Sequence, residues 1–307
     1  MLHLRLITPS DRTDAVIRLI EETVGTAHLA VVPGAARNPV GDIVMVDVAR
    51  EAGDELIGGL RELEIDRTGS IAVEDIELSL SKRADQAEVD APGEGADAVL
   101  WEQLAEATHE ESTLSVTYLA FITLATMIAA CGVILDNAIL IVGAMAVGPE
   151  FGPLAGFSTA VVRRRPRLAL RSLVALLVGF AVAMAVTVLF SLLMDGLGLF
   201  TEDMLEGDRP NTAFVYAPDA FSFVVAILAG IAGTLSLTSA KSGLLVGVAI
   251  SVTTVPAAAN AAVALSYGDT SQTLGSTNQL LLNLLGIVLA GTLTLLTQKW
   301  LWSRTTT

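Results

Sequence analysis

The chain has 307 residues, of which 52% are apolar, and its mean hydropathy is +0.63. A value this high is not expected of a soluble globular protein and predicts several membrane spans. Residues 1–112 hold 24 acidic and 9 basic side chains, whereas residues 113–307 hold nine of each. These numbers predict an acidic aqueous domain followed by a membrane domain. They argue against a nucleic-acid partner, which requires clustered cations.

The acidic charge has two interpretations: a solubilising surface suited to a salt-rich cytoplasm, which is favoured, or a surface for a basic partner. Cys131 is the only cysteine, so intrachain disulfides and thiolate metal sites are excluded. The three histidines show no ligand-like spacing. No metal and no cofactor are therefore predicted.

Residues 1–82 are predicted to form a cytoplasmic α+β domain with the βαββαβ order of a ferredoxin-like fold. Leucines alternate with polar residues at positions 2–6, as in a half-buried strand. The fourth strand is expected to cover residues 71–80, with a bulge or a break at 74–75 where the alternation slips by one residue. Such domains form oligomers or bind effectors at their interfaces. Oligomerisation or docking is favoured, because no ligand-binding constellation stands out.

Residues 83–112 are predicted to be an acidic linker and an interfacial helix. The linker is rich in glycine and proline and poor in large apolar residues. Residues 98–112 follow as an amphipathic helix. It is expected to lie along the membrane surface, and the competing interpretation packs it on the aqueous domain.

Residues 113–307 are predicted to contain six membrane spans, since about 20 apolar residues cross a bilayer. The predicted spans are residues 114–135, 138–162, 168–193, 221–237, 243–265 and 280–296. Residues 195–219 and 267–278 are expected to be polar loops.

The basic residues predict the orientation of these spans. An arginine cluster at residues 163–171, Lys241, and the tail residues Lys299 and Arg304 all fall on one side if there are six spans. By the positive-inside rule that side is cytoplasmic, so a cell-membrane protein with both termini in the cytoplasm is expected.

The second predicted span contains a break at residues 142–153, which hold three glycines, two prolines and a carboxylate. Proline removes a backbone donor and clashes with the preceding turn, so a regular helix cannot continue. In lipid the freed backbone groups need partners in the protein or in a water-lined cavity. A carboxylate at this depth, Glu150, is costly and is typical of a pathway or binding site.

A second break is predicted in the fifth span. Residues 246–249 echo residues 142–145, and a proline follows each within about ten residues, Pro149 and Pro256. Broken spans at matching places in two three-span halves are typical of inverted-repeat transporters. The alternative is chance, since glycine, alanine and valine are common in any span.

The candidate binding or transport residues lie near the two breaks. They are Gly148, Pro149, Glu150, Gly152, Pro153, Thr253, Thr254, Pro256, Asn260 and Asn283. Each has a structural alternative: the threonine hydroxyls bond to helix carbonyls, the asparagines form interhelical hydrogen bonds, and Glu150 bonds to the backbone groups that the prolines free. No catalytic residues are predicted.

These residues resemble a known family. The segments Gly143-Ala144-Met145, Gly148-Pro149 and Gly152-Pro153, together with Gly230-Ile231-Ala232-Gly233, Val255-Pro256 and Asn283-Leu284, are similar to blocks of a prokaryotic membrane family called domain of unknown function 389. The resemblance covers about residues 115–298. Glu150 stands where the family usually has a small or apolar residue, and Ala257 where a second proline is common. The resemblance implies a membrane fold and no particular activity.

Two functions are weighed. The first is a transporter or channel for a small solute or ion, regulated or assembled by the cytoplasmic domain. The second is a non-transporting sensor or scaffold whose aqueous domain binds an effector. An intramembrane enzyme is not expected, because no zinc-protease motif and no nucleophile–base pair are found. The expected partners are the lipid bilayer, a small solute or ion, and further copies of the chain.

Overall fold

A computed structural model describes residues 1–93, 95, 98–216, 220–239 and 254–305 of the chain. The chain divides into two compact units. One is built mainly from Met1–Gln103, and the other mainly from Leu104–Leu237 and the helices that follow. The first unit contains both strands and helices, and the second is helical.

The first unit holds a four-stranded sheet. Its strands are β1 (Leu2–Thr8), β2 (Thr26–Arg37), β3 (Val40–Val48) and β4 (Ser70–Asp75). They pair in the order β2-β3-β1-β4, and every pair is antiparallel. The predicted alternation is confirmed, since Leu2, Leu4 and Leu6 are buried while their neighbours are more exposed.

Helices cover one face of this sheet. They are α1 (Thr13–Glu22), α2 (Arg50–Glu62) and α3 (Ile65–Thr68). Val16 and Ile20 of α1, and Leu56 and Leu60 of α2, recur at intervals of four residues, which places each pair on one side of its helix. These four side chains pack with the strand leucines in one apolar core.

The fourth strand is shorter than the sequence predicts. β4 ends at Asp75, opposite Leu2 at the start of β1, so no neighbouring strand remains to pair with later residues. Leu78 and Leu80 are 75% and 90% exposed. The strand therefore breaks at residues 74–75, as one of the two predicted alternatives has it, and its bulged continuation to residue 80 is wrong.

Part of the predicted linker is a helix, α4 (Lys82–Asp90). The Ser81 hydroxyl caps it by accepting hydrogen bonds from the N–H groups of Arg83 and Ala84, at 3.2 and 3.4 Å. Ala84 and Ala87 are buried, and α4 packs on β2 and β3. The acidic composition concealed this helix because small alanines, rather than large apolar residues, make its contacts.

The predicted amphipathic helix is present as α5 (Trp101–Glu111). Leu100, just before it, lies in the core of the first unit, and the Trp101 N–H donates to Asp54 Oδ1 at 3.2 Å. At this end, packing on the first unit is therefore favoured over an exposed position on the membrane surface.

The second unit is a set of eight helices within the described residues. They are α6 (Val116–Ile134), α7 (Ala138–Val147), α8 (Phe151–Arg163), α9 (Pro166–Gly196), α10 (Glu202–Glu206), α11 (Ala220–Thr238), α12 (Thr254–Tyr267) and α13 (Thr270–Thr305). By length and composition α6, α9, α11 and α13 could each cross a membrane, and the bent pair α7–α8 could make a fifth span. This architecture fits a multi-pass membrane protein. Residues 243–253 of the predicted fifth span lie outside the described part of the chain.

The predicted polar loop at residues 267–278 is mostly helix. Asp269 begins α13: its carboxylate accepts from the Gln272 N–H at 3.0 Å, and its carbonyl accepts from the Thr273 N–H at 3.1 Å. The prediction failed because the polar residues of this stretch have partners inside the protein. The other predicted loop, residues 195–219, contains the short helix α10 and a 3-10 turn at Ala213–Val215.

Small residues allow the helices of the second unit to approach closely. A Cβ on Gly179 of α9 would clash with the Tyr118 ring of α6, and one on Gly230 of α11 would lie 2.7 Å from the Ile287 carbonyl of α13. These two glycines therefore serve contacts within one chain. The homo-oligomer stays a prediction.

A hydrogen-bonded cluster lies on the sheet of the first unit. The Nδ1 atoms of His3 and His28 each lie 2.7 Å from a carboxylate oxygen of Asp47. Burial alone would raise the pKa of Asp47, but the two imidazole contacts outweigh it and hold the pKa below its usual value.

We predict that Asp47→Asn destabilises the first unit at pH 7 by about 1 kcal/mol. Since the folded-state pKa is depressed, the stabilisation is present above the unfolded pKa of about 4 and is lost as the pH falls through the folded pKa. Hydrogen exchange of the β1 and β3 amides, compared between full-length wild type and variant at each pH, measures this. A difference that grows as the pH falls below 4 would contradict it.

Candidate functional site

The predicted break is confirmed between α7 and α8, whose axes differ by 55°. Gly148 is extended, with φ −67° and ψ 128°, as the residue before a proline tends to be. Pro149 follows and has no N–H to continue the helical ladder. Pro153 falls in the first turn of α8, where a missing N–H costs little.

Glu150 is fully buried at the start of α8. Its side chain makes no capping hydrogen bond to that helix. Instead its Oε1 accepts a hydrogen bond of 2.9 Å from the hydroxyl of Thr254, 104 residues later, at the first turn of α12. The carboxylate therefore joins the break to the segment in which the sequence predicts the second break.

Gly148 permits this arrangement because it has no side chain. A Cβ at this position would clash with Oε2 of Glu150 and would lie 3.0 Å from Cγ2 of Val255. The backbone of α7 thus ends directly against the carboxylate and against α12. Glycine is required here for close approach.

A cavity of about 390 Å³ opens beside the break. Gly148, Pro149 and Gly152 line it from the break, and Glu110 and Glu111 line it from the end of α5. The remaining lining residues are Thr113, Ser115, Thr117, Tyr118, Phe121 and Phe151. Hydroxyls and carboxylates thus face this space together with aromatic rings.

The Glu111 side chain packs directly on the break, since a Cβ on Gly152 would clash with it. Burial raises the pKa of the Glu111 carboxyl, and the charge of Glu110 raises it further. The Tyr118 hydroxyl is buried and has no hydrogen-bond partner among the described residues. These groups line the cavity with oxygen atoms that can accept or donate hydrogen bonds.

A second polar cluster surrounds Arg209, which comes from the loop before α11 and is only 3% exposed. Its guanidinium donates to Asn260 Oδ1 of α12 at 3.0 Å and to Gln272 Oε1 of α13 at 2.7 Å. Asn260 in turn donates to the Ser276 hydroxyl at 2.8 Å. The Arg209 guanidinium also lies 4.9 Å from the centre of the Tyr216 ring. Burial lowers the pKa of Arg209, although a guanidinium remains protonated.

The loop that carries Arg209 is hydrogen-bonded to the turn between α6 and α7. Asp136, at that turn, accepts hydrogen bonds from the Asn211 side chain at 2.7 Å and from the Thr212 hydroxyl at 2.9 Å. Burial alone would raise the pKa of Asp136, but these bonds outweigh it and lower the pKa.

One face of α13 carries polar side chains at helical spacing: Gln272, Ser276, Gln279 and Asn283. The last three are at most 1% exposed. Neither amide atom of Gln279 has a hydrogen-bond partner among the described residues. A buried amide of this kind is costly unless it is satisfied.

The structure brings only part of the predicted residue set together. Glu150, Gly148 and Thr254 meet at the break. Asn260 belongs to the Arg209 cluster, which matches its alternative interpretation as an interhelical hydrogen bond. Pro256 lies in the first turn of α12 and Asn283 is buried on α13. Thr253 and the rest of the predicted second break lie outside the described residues.

Sequence reasoning missed Arg209, Gln272, Ser276 and Gln279. The α13 residues could have been recognised from their spacing, because intervals of four, three and four residues place them on one face of a helix. Arg209 had none beyond being a lone cation in an acidic loop, because its partners are 51 and 63 residues away. Among the described residues no group of three or more His, Cys, Asp or Glu could hold a metal ion.

Comparisons with known proteins agree with this picture. Residues 145–289 match a family described as "Domain of unknown function (DUF389)", so the resemblance seen in the sequence is confirmed. An uncharacterized protein of Methanocaldococcus jannaschii is 26% identical over 197 residues. That match covers 64% of this chain and 59% of the relative, which is less than two thirds of its length. No solved structure matches the chain.

We predict that Gly148→Ala destabilises the protein by about 1–3 kcal/mol, because the added Cβ clashes with Glu150. Gly143→Ala is the matched control in the same helix, since a Cβ there meets nothing within 4 Å. Thermal unfolding in detergent measures both. Equal unfolding temperatures for the two variants would show that the close approach at Gly148 is not required.

We also predict that Arg209 and Asn260 are coupled. In a cycle of Arg209→Ala, Asn260→Ala and the double variant, the coupling energy should be about 1 kcal/mol or more, because each single change leaves a buried partner unsatisfied. Asp208→Ala, an exposed neighbour, is the control and should not couple to Asn260. Additive effects of Arg209→Ala and Asn260→Ala would contradict the buried hydrogen bond.

Proposed function

We propose that this chain, which carries the domain of unknown function 389 over residues 145–289, is a membrane transporter or channel for a small ion, with a cation favoured. The observation that carries the proposal is the buried Glu150 at a broken helix, bonded to Thr254 of another helix. An intramembrane carboxylate is costly, and such groups mark ion and proton pathways. Irregular backbone at membrane depth is tolerated where it lines a cavity.

The cavity beside the break supports a cation as the substrate. Glu110 and Glu111 line the cavity. Gly148, which has no side chain, lies between the cavity and Glu150. Carboxylates and hydroxyls are the oxygen ligands that hard cations prefer. Burial raises the pKa of Glu111, and the neighbouring charge of Glu110 raises it further; a bound cation would relieve the repulsion between the two carboxylates.

Polar groups continue from this centre toward the Arg209 cluster. Asn260 lies six residues beyond Thr254, or about 9 Å along α12. The helix α13 runs in the direction opposite to α12. Ser276 and Asn283, with Gln279 between them, lie about 10 Å apart along it. The bond between Asn260 and Ser276 fixes the register of the two helices, so Asn283 falls near the level of Thr254. We propose that this polar face is hydrated and forms the path of the ion.

The proposal includes the architecture expected from the sequence. The strand order β2-β3-β1-β4, with a helix between β1 and β2 and another between β3 and β4, supports a ferredoxin-like regulatory or oligomerisation domain. Six spans in two inverted halves would place the two breaks face to face, and the contact between Glu150 and Thr254 supports this. The arginine cluster at residues 163–171 supports a multi-pass cell-membrane protein with both termini in the cytoplasm.

The alternative, a sensor or scaffold that transports nothing, needs a solid membrane body with Glu150 bonded to freed backbone groups. The bond to the Thr254 side chain and the adjacent cavity favour transport instead.

Ion flux into proteoliposomes tests the proposal. We expect protein-dependent flux of at least one of H⁺, Na⁺, K⁺ or Mg²⁺, reduced about tenfold or more by Glu150→Gln, since removing one stabilising charge from an ion site costs at least 1.4 kcal/mol. Glu202→Gln, an exposed carboxylate of the loop before α11, is the matched control and should retain flux.

Thr254→Val serves as a second variant, because it removes the hydroxyl that orients Glu150 and keeps the carboxylate itself. A folded wild-type protein whose flux never exceeds that of empty liposomes would contradict the proposal. Equal flux through the wild type and a folded Glu150→Gln variant would remove Glu150 from the path.

A further inference from the structure

A separate pocket lies at the turn between α8 and α9. Residues 163–171 hold five of the nine cationic side chains found in residues 113–307: Arg163, Arg164, Arg165, Arg167 and Arg171. The concentration is unusual in a chain whose net charge is −15. It makes this turn the most positive stretch of the sequence.

Three of these arginines line a cavity of 450 Å³. Arg164, Arg165 and Arg167 form one side, and Glu106 and His109 of α5 form the other. With one carboxylate against three guanidinium groups, the lining carries a net positive charge. Guanidinium groups bind phosphate oxygens through paired hydrogen bonds, so such a lining suits a phosphate group.

Arg171 holds His109, on the α5 side of the pocket, in position. Its guanidinium donates to His109 Nε2 at 3.0 Å and to the Thr113 hydroxyl. Because a guanidinium can only donate, His109 Nε2 must accept, and the neutral ring then carries its proton on Nδ1. His109 thus offers a hydrogen-bond donor and is held in place before any ligand arrives.

Arg164 ends α8 in a left-handed backbone conformation. Arg164 has φ 54° and ψ 43°, the left-handed conformation that glycine usually supplies at the end of a helix. The Arg165 N–H bonds to the Ala160 carbonyl at 2.9 Å and the Arg164 N–H to the Val161 carbonyl at 3.3 Å, which closes α8. An arginine in this conformation is disfavoured relative to glycine, so glycine can replace it without backbone strain.

We propose that the arginine pocket, lined by Arg164, Arg165, Arg167 and His109, binds a phosphate group. The phosphate belongs either to the headgroup of an anionic phospholipid or to a small soluble phosphate ester. The first turn of α9 adds the backbone N–H groups of Arg167 and Leu168, which have no acceptor within the helix. Glu106 limits the excess positive charge, which favours a single phosphate over a polyanion.

Two parallel titrations of the full-length protein in neutral detergent test the proposal. One adds phosphatidylglycerol or phosphatidylcholine and counts bound lipids by native mass spectrometry. The other adds glycerol phosphate and measures heat by calorimetry. We expect at least one phosphate probe to bind, and the double variant Arg164→Gly/Arg167→Gln to weaken that binding about tenfold or more, as loss of two cations near an anionic group should.

The matched control is Arg37→Gln/Arg67→Gln, which removes two exposed arginines of the first unit and should leave binding unchanged. Arg164→Gly alone relieves the left-handed backbone, so its unfolding temperature should equal or exceed that of the wild type while binding falls. This separates loss of binding from loss of fold.

Weakening in the lipid titration alone identifies a headgroup site, and weakening in the glycerol phosphate titration alone identifies a site for a soluble ester. Weakening in both supports the shared phosphate chemistry. No binding of either probe, or equal losses in the pocket and control variants, would overturn the proposal.

Discussion

The hydrogen bond between Thr254 and the buried carboxylate of Glu150 is the contact on which the rest of the helical unit depends. A buried carboxylate must be satisfied by nearby hydrogen-bond donors, so its presence constrains what surrounds it. Gly148 has no side chain because the carboxylate occupies that space, and Pro149 ends α7 so that the chain can turn there. The first turn of α12 must then meet α7 and α8 at the same point. Local backbone chemistry and a long-range contact thus depend on one another.

The helical unit holds its other polar groups in the same way. Arg209 is buried with two amide side chains, and its loop is fastened to the turn at Asp136. Burying such groups does not by itself make a protein more stable than apolar packing would. A path for a charged or hydrated solute would explain why these polar groups are buried despite the free-energy cost. Gln279, which is buried with no partner among the described residues, fits the same explanation.

Features that depend on neighbouring residues could be predicted from the sequence, whereas features that depend on distant contacts could not. The break at Gly148 and Pro149 was predictable because proline and glycine act on their own backbone. The first strand of the first unit was predictable because its leucines alternate with polar neighbours. The start of α13 was not, because its polar residues resemble a loop until their partner Arg209 is known. The helix α4 was missed for a similar reason, since buried alanines leave little hydropathy signal.

The central claim is that Glu150 is an ion-responsive group and not merely a structural one. Infrared difference spectroscopy of the full-length protein, recorded during stepwise addition of Na⁺, K⁺ or Mg²⁺ and across a pH series, tests this most directly. The account predicts a carboxyl band that shifts with at least one ion, protons included, and that is missing from Glu150→Gln. A spectrum in which no band assigned to Glu150 responds to any of them would contradict it.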